Sequence, residues 1–162
     1  MAIFIALSAI LYSIIIFRMP LGGEVTLGGM VPLLWFSLRR GVKAGIIAGI
    51  IFGLVLMVLE PYLYAPFQVL LDYPLAFGAL GLAGFFKKYP VVGVGVGISC
   101  RFVSHFFSGV IFANFFIPAG VNPYIYSAAY NGAYLIPEFI ISAAIIYILA
   151  RENVLNYNLQ AQ

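Results

Sequence analysis

Long apolar runs, separated by short turn-forming segments, limit what this chain can fold into more than any other feature. A helix needs about 20 consecutive apolar residues to cross a bilayer core, and several runs here approach or exceed that length. Of the 162 residues, 64% are hydrophobic and only 8% charged, whereas water-soluble domains carry about 25% charged residues. The mean hydropathy is +1.11. No hydrophilic stretch is long enough to fold separately. The expectation is therefore an all-α, multi-pass protein of the cell membrane, with residues 1–162 forming one bilayer-embedded domain.

Six spans fit, at 2–18, 29–38, 44–60, 68–86, 91–114 and 125–150, the second being short unless it tilts or extends into the preceding loop. Turn chemistry marks the breaks: Met19-Pro20-Leu21-Gly22-Gly23, Arg39-Arg40-Gly41, Glu60-Pro61, Tyr89-Pro90, and Pro118 to Pro123. Residues 1–17 lack the basic start and small-residue cleavage site of a secretory signal, so they are read as a first span. Alternating the spans gathers Arg39, Arg40, Lys43, Lys87, Lys88 and Arg151 on one side, with Arg18 opposite. That side is cytoplasmic by the positive-inside rule, and both termini lie inside.

This topology brings unusual residues to one level. Gln68, Asp72 and Tyr73 open the fourth span, His105 and Gly109 close the fifth, and Tyr126, Tyr130 and Asn131 open the sixth. At 1.5 Å rise per residue all fall within about 15 Å of the outer surface. Arg101, His105, Gly109 and Ala113 recur every fourth residue and are expected on one helix face. The loop from Arg18 to Gly29 and the loop Tyr62-Leu63-Tyr64 are expected above the cluster as lids. Arg101 and Glu138 fall deeper, near the midplane, where an ion pair is the simplest way to hold two charges.

Span three carries glycine at 41, 45, 49 and 53, and span one carries Ala2 and Ala6 with Ala9 close by. Small residues at that spacing let helices approach closely in lipid, either within the chain or against a partner. The run Gly93-Val94-Gly95-Val96-Gly97 lacks the preceding strand of a dinucleotide site and is read as packing glycine. The lone Cys100 is read as a small core residue. A net charge of +3 with its cations at span ends gives no footprint for nucleic acid.

Catalysis finds little support in these residues. Of the serines beside His105 only Ser108 has usable i to i+3 spacing, metal ligands are too sparse, and no phosphate-binding GxxxxGK[ST] run occurs, so neither a metal nor another cofactor is expected. A pore should be polar from side to side, and this cluster occupies one half. Binding fits better. One carboxylate, one imidazole, one amide and several phenols, Tyr62 among them, suit a small, flat, polar heterocycle, above all a cationic or amino-substituted one.

Several stretches together carry a resemblance: MPLGGEVTLGGMVPL (19–33), RRGVKAG (39–45), PFQVLLDYPLAFGALGLAGFF (66–86), RFVSHFFSGVIF (101–112) and PAGVNPYIYSAAYNG (118–132). The chain resembles the thiamine-specific substrate-binding (S) components of energy-coupling-factor (ECF) vitamin transporters. The resemblance implies six membrane helices around an extracytoplasmic solute pocket. It also implies partners: a transmembrane coupling protein docking on the first-helix motif Ala2 to Ala6, and two cytoplasmic ATPases. By the same resemblance, Asp72 stands where the family has a glutamate that grips the aminopyrimidine of thiamine, and Tyr126 and Asn131 match that ring's other contacts. Tyr73, His105 and Gly109 match the surround of the thiazolium, and Tyr62 an aromatic above it. Asp72 is one methylene shorter than the family's residue, and Ala113 replaces a tryptophan that stacks on the thiazolium. Either Phe112, Phe116 or another aromatic supplies that face, or the ligand is a smaller relative such as a hydroxymethylpyrimidine.

Overall fold

The computed structural model describes residues 1–152; residues 153–162, the end of the single domain expected from the sequence, lie outside the described residues. The chain opens with helix α1 (Ala2–Tyr12) and turns into an antiparallel hairpin of β1 (Ile15–Arg18) and β2 (Glu24–Thr26). It continues through α2 (Val31–Arg40), α3 (Val42–Leu59), α4 (Pro66–Phe86), α5 (Pro90–Ile111), the short α6 (Ala113–Phe116) and α7 (Pro123–Arg151). Among the described residues, α3, α4, α5 and α7 are long and apolar enough to cross a membrane. The expected all-α class is thus corrected to a mostly helical one with a small sheet.

The first expected span is where helix gives way. Helix α1 has 11 residues, about 16 Å at 1.5 Å per residue and well short of a 30 Å core. Ser13 turns its hydroxyl back to the Ala9 carbonyl at 2.9 Å, and the run Ile14-Ile15-Ile16-Phe17 that follows is β-branched and aromatic, so it favours the extended chain. Pro20, with Leu21 and Gly22 both at positive φ (67° and 86°), folds the strands back on each other. Arg18 then faces Glu24 across the hairpin.

Two side chains of α7 fasten this hairpin to the bundle. Glu138 accepts from the Thr26 backbone N–H and, at 2.6 Å, from the Thr26 hydroxyl. Nearer the tip, the Tyr130 hydroxyl accepts from Gly23 N–H at 2.8 Å and donates to the Pro20 carbonyl. The expected Arg101–Glu138 ion pair does not form: Glu138 Oε1 takes both Thr26 bonds, and Arg101 turns to His105 and Met30 instead. Equal depth in the bilayer placed the two residues at one height but left their directions around the helix axes open.

Helix α2, at 10 residues, is too short to cross, and Val31 to Leu38 are buried on every side. It is the centre of the bundle, with Leu34, Phe52, Phe77, Leu80 and Val94 packed in the same core. The glycine ridge of α3 is resolved as packing within the chain. A methyl at Gly45 would lie 2.9 Å from Gly81 Cα, one at Gly49 2.9 Å from Gly78 Cα, and one at Gly53 3.1 Å from Pro74 N. Lipid is as apolar as leucine, so close approach of this kind, rather than transfer out of water, holds the helices together.

Candidate functional site

A cavity of about 630 Å³ opens beneath the hairpin, walled by the ends of α3 and α4, by the later turns of α5 and by the first turns of α7. Helix α4 is built irregularly at this point. Pro74 has no N–H to donate within the helix and its ring crowds the preceding turn, and Leu71–Leu75 widens into a π turn, a distortion that often accompanies functional sites. Asp72 and Tyr73 sit on that widened turn.

Asp72 is held by three donors. Gln68 Nε2 donates to Oδ2 at 2.7 Å, Ser108 Oγ donates to Oδ2 at 2.8 Å, and the His105 ring nitrogen Nδ1 lies 2.9 Å from Oδ1. The other ring nitrogen of His105 fixes the tautomer. Arg101 Nε, which always carries its proton, donates to His105 Nε2 at 3.1 Å, so the imidazole proton sits on Nδ1 and points at Asp72. Arg101 itself is buried, with its guanidinium 4.1 Å above the Phe77 ring and an N–H 2.7 Å from the Met30 sulfur. A relay of cation, imidazole and carboxylate thus runs up one wall.

Helix α7 supplies the opposite wall. Asn122 caps it, accepting from Tyr124 N–H at 3.0 Å, and Pro123 occupies its first turn, which fixes where the following side chains fall. Tyr126 and Tyr130 stack with their planes 7° apart. The Asn131 amide is oriented from both ends: Nδ2 donates to the Ser127 carbonyl at 2.9 Å, and Oδ1 accepts from the Tyr134 hydroxyl at 2.9 Å. Gly109 faces Ser127, and a side chain there would collide with it, so glycine lets α5 and α7 close on the site.

The mouth is formed by two loops. Tyr73 accepts from Tyr62 N–H at 2.8 Å and donates to the Glu60 carbonyl at 2.6 Å, while Gln68 donates to the Tyr62 carbonyl at 3.1 Å. The Tyr73 hydroxyl is therefore engaged in holding the α3–α4 loop. Tyr62 lies on that loop under the hairpin, and burial together with neighbouring Tyr64 pushes its phenol up. Arg18 bridges the loops, reaching Glu24 at 2.5 Å and Glu60 at 3.2 Å. Burial and the nearby Glu60 raise the Glu24 carboxyl, with Arg18 acting in the opposite direction.

Gln68, Asp72, Tyr73, His105, Gly109, Tyr126, Tyr130, Asn131 and Tyr62 all line the cavity. Ala113 does not. Helix α5 ends at Ile111, Phe112 leaves helical geometry (φ −104°, ψ 28°), and Ala113 begins a separate turn, so the every-fourth-residue stripe stops at Gly109. Phe116, from that turn, does reach the cavity. Ala2 and Ala6 do not line the cavity; they lie on the exposed face of α1 opposite buried Ile5 and Ser8. Sequence reasoning passed over Glu24, Glu60, Tyr12 and Phe77, which also line it. An acid inside an otherwise apolar segment was the available signal for Glu24. No group of three or more His, Cys, Asp or Glu side chains that could hold a metal occurs among the described residues.

The chain is similar to known membrane transporters. A family model described as thiamine transporter protein matches residues 1–157. The chain is 35% identical over 148 residues to the thiamine transporter ThiT of Bacillus subtilis strain 168, covering 81% of this chain and 77% of that protein. It is 26% identical over 141 residues to the thiamine transporter ThiT of Lacticaseibacillus paracasei, covering 75% of this chain and 70% of the relative. The solved structure of ThiT from Listeria monocytogenes superposes with a TM-score of 0.84 at 26% identity, covering 94% of this chain and 92% of that one. With a family model spanning nearly its whole length, this multi-pass membrane protein belongs to the thiamine transporter family.

Proposed function

We propose that the protein is the substrate-binding membrane subunit of an ECF-type importer, one bilayer-embedded unit that captures thiamine at the extracytoplasmic face. The reading takes both termini as cytoplasmic, with α1 and α2 completing six membrane-inserted helices. Thiamine then passes inward when the subunit reorients against a transmembrane coupling protein, driven by two ATPases. The observation that carries it is the cavity: the Asp72 carboxylate, the Asn131 amide and the stacked phenols of Tyr126 and Tyr130 converge on about 630 Å³ beneath a hairpin. Ligand pockets for small molecules run to about 300–1,000 Å³, and a two-ring cation fills this one better than a lone pyrimidine. Phe116 supports the larger ligand too, since it offers an aromatic surface where Ala113 offers none. Asp72 is the proposed acceptor for the aminopyrimidine, with Asn131 and Tyr126 beside it.

Calorimetry of the purified protein tests this. The wild type is expected to bind thiamine at micromolar concentration or tighter, and Asp72→Asn to weaken binding by about tenfold or more, as for a lost hydrogen bond to a charged group. No heat of binding at those concentrations overturns the reading, and an unchanged affinity in Asp72→Asn removes the carboxylate's role.

A further inference from the structure

The hairpin carries an acid that the binding scheme above leaves unused. Glu24 lines the cavity yet is only 4% exposed. One of its oxygens pairs with Arg18 Nε at 2.5 Å, while the other, Oε2, is buried with no hydrogen-bond partner. A buried carboxylate oxygen without a donor is costly, and in native proteins such a group usually has a reason. Its charged and titratable neighbours are Arg18, Glu60, Tyr12 and Tyr130. Tyr130 spends its hydroxyl on the hairpin backbone, and Arg18 is divided between Glu24 and the exposed Glu60. Arg18 has 56% of its side chain exposed, against 2% for Glu24. The cation therefore stands at the mouth and the acid inside.

We propose that Glu24 is a second ligand-binding carboxylate, which accepts a hydrogen bond from a donor at the hairpin end of the ligand and is neutralised by Arg18 while the cavity is empty. This rests on the thiamine reading. Asp72 and Glu24 reach the cavity from different elements, α4 and the hairpin, and in the proposed pose a ligand held at its aminopyrimidine by Asp72 presents its hydroxyethyl group toward Glu24. A phosphate ester at that position removes the donor and sets an anion against the acid. Glu24 then discriminates against the ester, and Arg18 acts in its favour.

The test measures the affinity of the purified full-length chain for thiamine and for thiamine monophosphate, and reads their ratio. Glu24→Gln is expected to weaken thiamine by about tenfold while leaving the monophosphate unchanged or tighter, so that preference for thiamine collapses. Arg18→Gln is expected to shift the ratio the other way, weakening the monophosphate alone. Misfolding cannot move one ratio in opposite directions. A ratio unchanged by Glu24→Gln, or moved the same way by both variants, overturns the assignment while thiamine binding by the wild type stands. A wild type that binds no thiamine overturns the transport reading and this assignment together. Should Glu24→Gln fail to fold, the direction of the Arg18→Gln shift decides.

Discussion

Glu24 shows how one side chain can be unfavourable for the fold in its charged form. Burial and Glu60 hold its carboxyl above the ordinary value of 4.5, so folding favours the protonated form. The stability that a protonated Glu24 supplies is complete below the unfolded value and is lost as pH rises through the elevated folded one. Glutamine mimics the protonated state at every pH. Glu24→Gln is therefore expected to raise the melting temperature relative to the wild type at pH 7 and to lose that advantage near pH 4. Melting curves of detergent-purified protein across this range check it; an advantage that grows toward acid pH would refute the sign. At the same scale, Arg101 illustrates what sequence reading cannot reach. Its depth was legible from helical rise, and so was the cost of burying it, but its partners are His105, Met30 and Phe77. Those depend on direction around the helix axis, which spacing along one helix does not supply.

Among the elements, the hairpin depends on α7 more than on its own strands. A two-stranded ribbon alone is marginal, and here Thr26 and Gly23 are tied to Glu138 and Tyr130. Thr26→Val keeps the backbone bond to Glu138 but removes the hydroxyl bond, and it leaves Gly29 N–H without its acceptor. The expected loss is about 1–3 kcal/mol, the usual cost of stranding buried polar groups. Its signature is local: amide exchange over residues 15–29 accelerates while α3 and α5 stay protected, and thiamine dissociates faster. Uniform acceleration along the chain would instead mean that the hairpin and the bundle unfold as one unit. The long helices were readable because proline and glycine punctuate them, as at Pro66, Pro90 and Pro123. The hairpin was not, because Ile14 to Phe17 are as apolar as the helix before them, and hydropathy does not separate a β-branched strand from a span. The end of α5 escaped for a related reason: nothing in Phe112-Ala113 breaks helical periodicity, so Ala113 was assigned to a face it does not share.

For the whole molecule, the proposed function assigns binding and partner docking to different surfaces. The cavity is complete within one chain, whereas α1 keeps Ala2 and Ala6 exposed and buries Ile5 and Ser8 on its inner side. In lipid, an exposed pair of small residues one turn apart lets another helix come close, and a bulky side chain there holds it off. If the coupling protein docks on this face, enlarging it separates the two activities. Ala2→Leu with Ala6→Leu is expected to leave thiamine affinity within about twofold of the wild type, a difference of less than 1 kcal/mol. Uptake of labelled thiamine by cells supplying the partner subunits is expected to fall about tenfold or more, as does recovery of those subunits with the tagged protein. Weakened binding in the double variant would mean that α1 braces the cavity, since Tyr12 at its end packs on Phe52 and Phe77. Undiminished uptake would move the docking face off α1, most directly to the exposed side of α3, whose glycine ridge is already filled by α4.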